Sequence, residues 1–243
     1  MKDVIEKLKD DKYYYGEGGK KFLSNSDIGT LLTNPREFGV SRPDNQNFAK
    51  GRYFHQLLIE PDKASEVVTI DSSSRNTKLY KEAIAEMGVE VALLTKEAEE
   101  VVNLTDTMKN NLYFFDNIYK DGNIYEEPAV KEIMGLMWKG KVDIVCDDML
   151  IDLKTTSKLA DFKWSAKKYN YDSQAYIYQQ LFNKPLIFFV IDKTSHQMGV
   201  FRPTEEFIKG GEEKVKRAVE VYNTFFGNNP KEELSSYFID EYL

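Results

Sequence analysis

The stretch Lys141-Val-Asp143-Ile-Val-Cys-Asp-Asp-Met-Leu-Ile-Asp152-Leu-Lys154 admits few conformations. Two apolar, β-branched runs, Val142 to Cys146 and Met149 to Leu153, flank the pair Asp147-Asp148. This is the pattern of a β-hairpin with a two-residue turn. Folding the chain there fixes the register. Cys146 faces Met149, Val145 faces Leu150, Ile144 faces Ile151, and Asp143 faces Asp152. Counted out from the turn, the last pair is a non-hydrogen-bonded one, with Cβ atoms about 4.5–5.5 Å apart. Lys154 is two residues beyond Asp152 and projects from the same face, while Val142, Ile144, Ile151 and Leu153 point the other way, into a core.

Two carboxylates directly opposite each other repel, and a sheet holds them there only with a cation between them. Their oxygens suit a hard divalent ion such as Mg²⁺ or Mn²⁺. A lysine beside that ion can orient a water and offset charge developing on a phosphate. Acid, acid, spacer and lysine on adjacent strands are therefore the parts of a phosphodiester-cleaving site. As a bare pattern, Asp-x(8)-Asp-x-Lys more often marks a solvated hairpin face. The motifs around it reverse that reading.

The 243 residues carry a net charge of −7 and are 42% hydrophobic, enough for a sizeable core. An acidic chain is not a general nucleic-acid coat. A nuclease remains compatible, because bound metal cancels the charge of catalytic carboxylates. Between Lys139 and Lys168 seven lysines stand against five aspartates, so any DNA contact is expected there. The start is a charged amphipathic helix rather than a leader, and the longest strongly apolar run, Leu186 to Ile191, is a buried strand too short to span a membrane. The lone Cys146 excludes a disulfide framework and a thiolate zinc site. A soluble chain in the cytoplasm is expected.

Along the chain, the patterns predict helices over Leu23–Thr33, capped by Ser24 or Ser26, and over Phe48–Ile59, Leu79–Met87 and Thr95–Asn110. Further helices are expected over Lys163–Tyr169, Ser173–Phe182 and Glu205–Phe226, with a loosely attached acidic end from Lys231 to Leu243. Strands are expected at Val67–Ile70, Ile124–Val130, Ile133–Trp138, the hairpin, Leu186–Ile191 and Met198–Arg202. Helices, then sheet, then helices, with no repeat or linker, give one α/β domain over 1–243 with a central sheet. Gly16-Glu-Gly-Gly-Lys-Lys lacks phosphate-loop spacing and is read as a turn.

Several residues have two readings. His55, mid-helix, is a packed histidine or a metal-site residue. Tyr171, Gln174 and Tyr178 share a helix face, either as an aromatic packing stripe or as a polar face over the scissile phosphate. A third acid is offered by Glu126 or by Glu127. Arg75 and Lys78, in a polar loop, are surface charges or phosphate contacts. Lys158, Lys163, Lys167 and Lys168 interleave with Phe162, Trp164 and Tyr169, as in a nucleic-acid groove or an ordinary amphipathic helix.

Taken in order, Gly51-x-x-x-His55-x-x-x-x-Glu60-Pro61, Gly140-Lys-Val-Asp143, Ile151-Asp152-Leu-Lys154-Thr-Thr and Tyr171-x-x-Gln174-x-x-x-Tyr178 resemble the motifs of PD-(D/E)xK nucleases. The likeness is nearest to RecE-like exonucleases of phages and prophages, the exonuclease VIII type, and runs over about residues 22–190. The resemblance implies a restriction-endonuclease-like core, a central mixed sheet flanked by helices. It implies one or two Mg²⁺ or Mn²⁺ ions held by Asp143, Asp152, His55 and the Leu153 carbonyl. Lys154 would position and activate water, Gln174 and Tyr178 would contact substrate, and Glu126 would be a further acid. Arg75, Lys78, Lys158, Lys163 and Tyr171 are the DNA-contact candidates. The implied activity is 5′-3′ digestion of linear double-stranded DNA during phage recombination or replication. The product is a 3′ single strand for an annealing protein, and the enzyme is a homo-oligomer, often a ring, in the host cytoplasm. The acid before x-Lys is aspartate here, where the family often has glutamate. Alternative readings are a structure-specific or single-strand nuclease, an inactive DNA-binding module, and a glycoside hydrolase, which Lys154 disfavours.

Overall fold

The computed structural model describes residues 2–41 and 43–238. Its helices are α1 (Lys2–Leu8), α2 (Asp11–Tyr15), α3 (Asn25–Thr33), α4 (Gln46–Ile59), α5 (Pro61–Ser65), α6 (Lys78–Met87), α7 (Thr95–Lys109), α8 (Leu112–Ile118), α9 (Phe162–Lys168), α10 (Tyr171–Phe182) and α11 (Glu205–Phe225). The strands are β1 (Thr69–Ile70), β2 (Leu93–Leu94), β3 (Ile124–Ile133), β4 (Leu136–Val145), β5 (Leu150–Thr156), β6 (Leu186–Asp192) and β7 (Met198–Phe201).

Five strands form one mixed sheet in the order β3-β4-β5-β6-β7, antiparallel except for the parallel pair β5–β6. β1 and β2 pair separately in parallel. β6 is buried along its whole length. Leu186, Phe188 and Val190 enter a core with α3, α10 and α11, while Ile187, Phe189 and Ile191 enter a second core with α4, α7 and α8. A strand covered on both faces reads as a continuous apolar run, and β6 does. The fold is α/β, a mixed sheet flanked by helices, as expected.

Local chemistry sets the helix ends. Ser24 and Asp27 form a reciprocal capping box on α3. Asn45 accepts from the N–H groups of Asn47 and Phe48 at the start of α4. α10 and α11 cross so closely that a Cβ on Gly211 would fall 2.0 Å from the Asp172 carbonyl oxygen. Beside that crossing, Lys214 pairs with the buried Asp172 at 2.9 Å.

Several expectations change. The meander strands Ile124–Val130 and Ile133–Trp138 belong to one long hairpin, β3–β4, whose turn is Met134-Gly135 with φ +53° and +79°. Two successive positive φ values match the right-handed strand twist, and the Met-Gly pair lacks the Asn or Asp that usually announces such a turn. α2, α5, α8 and β2 were not foreseen. Val142, Ile144, Ile151 and Leu153 are all fully buried, but Val142 packs in the first core and the other three in the second. Glu126 on β3, at φ +51°, lies between the Tyr125–Ile144 and Glu127–Val142 pairs of this stretch. The acidic end is docked as far as it is described: Arg36 Nη2 donates to the carbonyls of Ser235 and Tyr237, and the Tyr237 ring meets Phe225. Residues 239–243 lie outside the described residues.

Candidate active site

The opening hairpin forms in the register read from its sequence for its first rungs. The Cys146 N–H donates to the Met149 carbonyl, and Val145–Leu150 and Ile144–Ile151 pair. The ladder then stops. The expected Asp143–Asp152 rung is absent from the β4–β5 pairing, and the Asp143 side chain takes the place of a backbone acceptor: the Leu153 N–H donates to Asp143 Oδ2 over 2.6 Å. Charge repulsion explains the opening. Two buried carboxylates need separate partners, and each has them.

Asp143 meets His55, with Nδ1 3.2 Å from Oδ1. α4 delivers this imidazole because Phe54 and Leu58 anchor the helix in the second core, on either side of His55 in sequence. Glu126 completes the group: one ligand atom from each of His55, Glu126 and Asp143 lies within 4.8 Å of the others. Glu126, rather than Glu127, occupies this position. Its left-handed backbone costs on the order of 1 kcal/mol, and such strain tends to collect at functional sites.

Asp152 faces the other way. Lys154 Nζ lies 2.5 Å from its Oδ2, and Gln174 Nε2 donates to its Oδ1 over 2.5 Å. The lysine ammonium is the close partner of the buried Oδ2. Tyr171 lies beside Lys154, with Nζ 5.0 Å from the ring centroid. Tyr178 is buried, and its hydroxyl donates to the Lys141 carbonyl over 2.9 Å, which makes it a brace between α10 and β4. Leu153 is present through its backbone.

The electrostatics follow from burial. Burial opposes charge on His55, but Asp143's charge and hydrogen bond outweigh it and raise the imidazole to about 9. Burial pushes the Glu126 carboxyl up to about 8, with Asp143 and Glu60 adding to the shift. Burial works against the Asp143 anion too, yet His55, Lys154 and the Leu153 N–H hold its carboxyl below the usual range. Asp152 is raised by burial, with Asp143 contributing. Burial would lower Lys154, but Asp152 reverses this and keeps the ammonium protonated. Two acids and an imidazole converging fit a hard divalent cation.

The DNA-contact candidates lie mostly apart from this group. Arg75 is held by Glu97 through two oxygens, at 3.0 and 2.5 Å, and by Gln46, so it ties the 71–77 loop to α7. Lys78 is exposed beside Glu82, and Lys158 pairs with Asp161. Lys163 is exposed on α9. Phe162 belongs to the first core, so it is not part of any groove. The sequence reading missed Lys141, a buried lysine whose Nζ pairs with Asp11 of α2 at 2.6 Å. Its place beside Asp143 in the motif was the available signal.

A five-stranded mixed sheet between helices, with acids and a lysine where two strands part, defines a PDDEXK-like domain. The chain belongs to the family described as PDDEXK-like domain of unknown function (DUF3799), which it matches over residues 34–232. No curated protein matches it in sequence. A candidate exonuclease from Eubacterium rectale is similar in structure, with a TM-score of 0.64 and 16% identity over 88% of this chain and 86% of that one. A phage-related exonuclease from Haemophilus somnus 129PT gives a TM-score of 0.33 and 15% identity over 71% of this chain and 92% of that one, too distant to carry an argument. Among the described residues, no helix is long and apolar enough to cross a membrane.

Proposed function

We propose that this chain is a divalent-metal-dependent deoxyribonuclease that digests linear double-stranded DNA from a free end, 5′ to 3′, in phage recombination or replication. The observation that carries this reading is the Lys154–Asp152 ion pair beside the His55–Glu126–Asp143 cluster. The exonuclease description of the structural neighbour from Eubacterium rectale is consistent with it.

The chemistry assigns roles. His55, Glu126 and Asp143 would hold a Mg²⁺ or Mn²⁺ ion, with Asp152 the further carboxylate proposed for the metal site. Such an ion supplies Lewis acidity toward a phosphate oxygen and lowers the pKa of water. Lys154 stays charged, so it acts as a donor and counter-charge: it orients a water by hydrogen bonding and offsets negative charge growing on the phosphate. Gln174 fixes the Asp152 carboxylate, and so fixes the lysine. Tyr178 keeps α10, which carries Gln174, against β4. An oligomeric ring and a single-strand annealing partner belong to the same proposal.

The test is cleavage of linear duplex DNA labelled separately at the 5′ and 3′ ends, with Mg²⁺, Mn²⁺ or EDTA, and a closed circle as control. Early metal-dependent loss of the 5′ label with the circle intact is expected. A cut circle would replace the exonuclease reading with an endonuclease. Intact DNA under every condition would overturn the nuclease reading.

A further inference from the structure

The corner between α9 and α10 carries side chains that the cleavage site leaves unused. Trp164 is 77% exposed and Tyr169 is 59% exposed. Trp164 and Lys168 are four residues apart on α9 and share a helix face. Lys168 Nζ lies 6.0 Å from the centroid of the Tyr169 ring, and that ring lies 6.1 Å from Tyr171's, tilted by 40°. Tyr171 in turn covers Lys154. Rings and cations thus form a continuous run from the catalytic lysine out to solvent.

Two further observations separate this corner from an ordinary solvated helix. Lys158 and Lys214, on either side, have carboxylate partners. Lys163, Lys167 and Lys168 have none within ion-pair distance among the described residues. The support is also rigid. Asn170, at φ +59°, makes the turn. Its carbonyl accepts from Asn25 Nδ2, and its Oδ1 accepts from Lys214 Nζ, which also donates to the Lys167 carbonyl. Exposed rings on a fastened corner are pre-organised for a ligand.

That ligand has spaced negative charge and accessible flat faces. A single nucleic-acid strand has both. A duplex keeps its base faces stacked inside and would meet only the lysines, as would an acidic peptide. We propose that Trp164, Lys168 and Tyr169 form a stacking track for unpaired deoxynucleotides of the DNA strand that reaches Lys154, with Tyr171, packed on Phe162 and Phe188, as its fixed inner end. Its placement rests on the nuclease reading, but its test does not.

The chain provides its own probe. Of its two tryptophans, Trp138 is fully buried and Trp164 is exposed, so the solvent-exposed emission is that of Trp164. The whole protein would be titrated with oligothymidylate in EDTA. Quenching of the long-wavelength emission is expected, with no such signal in Trp164→Phe. By anisotropy, Tyr169→Ala weakens oligothymidylate binding about tenfold and Trp164→Ala with Tyr169→Ala weakens it further, at the scale of base–ring stacking. Both variants should keep wild-type Mn²⁺ affinity and thermal midpoint. Absence of quenching, equal quenching by inorganic polyphosphate, or wild-type affinity in the double variant would overturn the track. Quenching by a protein that cuts no DNA would uphold the track and sink the nuclease reading. Cleavage without quenching would do the reverse.

Discussion

The Leu153 N–H donates to Asp143 Oδ2 over 2.6 Å, where a regular hairpin would have placed Asp143 opposite Asp152. One carboxylate thereby leaves the other and joins His55 and Glu126, while Asp152 turns to Lys154 and Gln174. The split creates two neighbouring sites from a pattern that suggested one.

Lys154→Ala should lower the DNA cleavage rate at least about a hundredfold, the scale of removing one donor aimed at developing charge. Folding, followed by circular dichroism, should be retained. Cleavage within tenfold of wild type would remove Lys154 from the mechanism.

Asp143→Asn keeps an acceptor for the Leu153 N–H but removes the charge facing His55. Mn²⁺ affinity, measured by calorimetry, should fall at least about tenfold. Glu127→Gln, outside the cluster, should leave it unchanged. Equal losses in the two variants would contradict the cluster.

Gly211→Ala would drive a methyl group into the Asp172 backbone at the α10–α11 crossing. A loss of about 1–3 kcal/mol in urea unfolding is expected, because overpacking forces backbone shifts. Gly88→Ala is a control of a different kind: its methyl meets open space, and only the left-handed φ of +65° is strained.

Lys139 is buried, and its ammonium donates to the Tyr14 carbonyl. Burial, with the charge of Lys141, lowers its pKa from 10.5 to about 8. Below pH 8 both folded and unfolded chains carry the proton, and the folded state bears the full cost. Between about 8 and 10.5 only the unfolded chain keeps the proton, so stability from this group rises with pH. Relative to wild type, Lys139→Met should therefore be favoured most at pH 7, where the wild-type ammonium is buried at a cost. The gap should narrow as pH climbs through that window. A gap that is flat across pH would show that Lys139 is not charged at a cost.

Much of the architecture was legible locally. Alternation in β4 and β5 fixed the hairpin register from Cys146 to Ile151, and the continuous apolar run of β6 declared a strand covered on both faces. Helices α3, α4, α7, α10 and α11 followed from periodicity and caps, because a period of 3.6 and a side chain bonded to its own backbone are properties of neighbouring residues. The turn at Met134-Gly135 was missed because its first position carries no turn residue.

The sequence by itself determined that Asp152 and Lys154 project from one face of β5 and that Asp143 lies on the neighbouring strand. Only the tertiary structure decided their partners. It chose Glu126 over Glu127, brought His55 from α4, and tied Arg75 to Glu97 in a clamp. It also opened the strand pair at Asp143. A side chain's direction along a strand is set by backbone geometry within two residues. The partner of a buried charge is set by whichever element packs above it, and here those elements are 88 residues (His55 to Asp143) and 22 residues (Asp152 to Gln174) away in sequence.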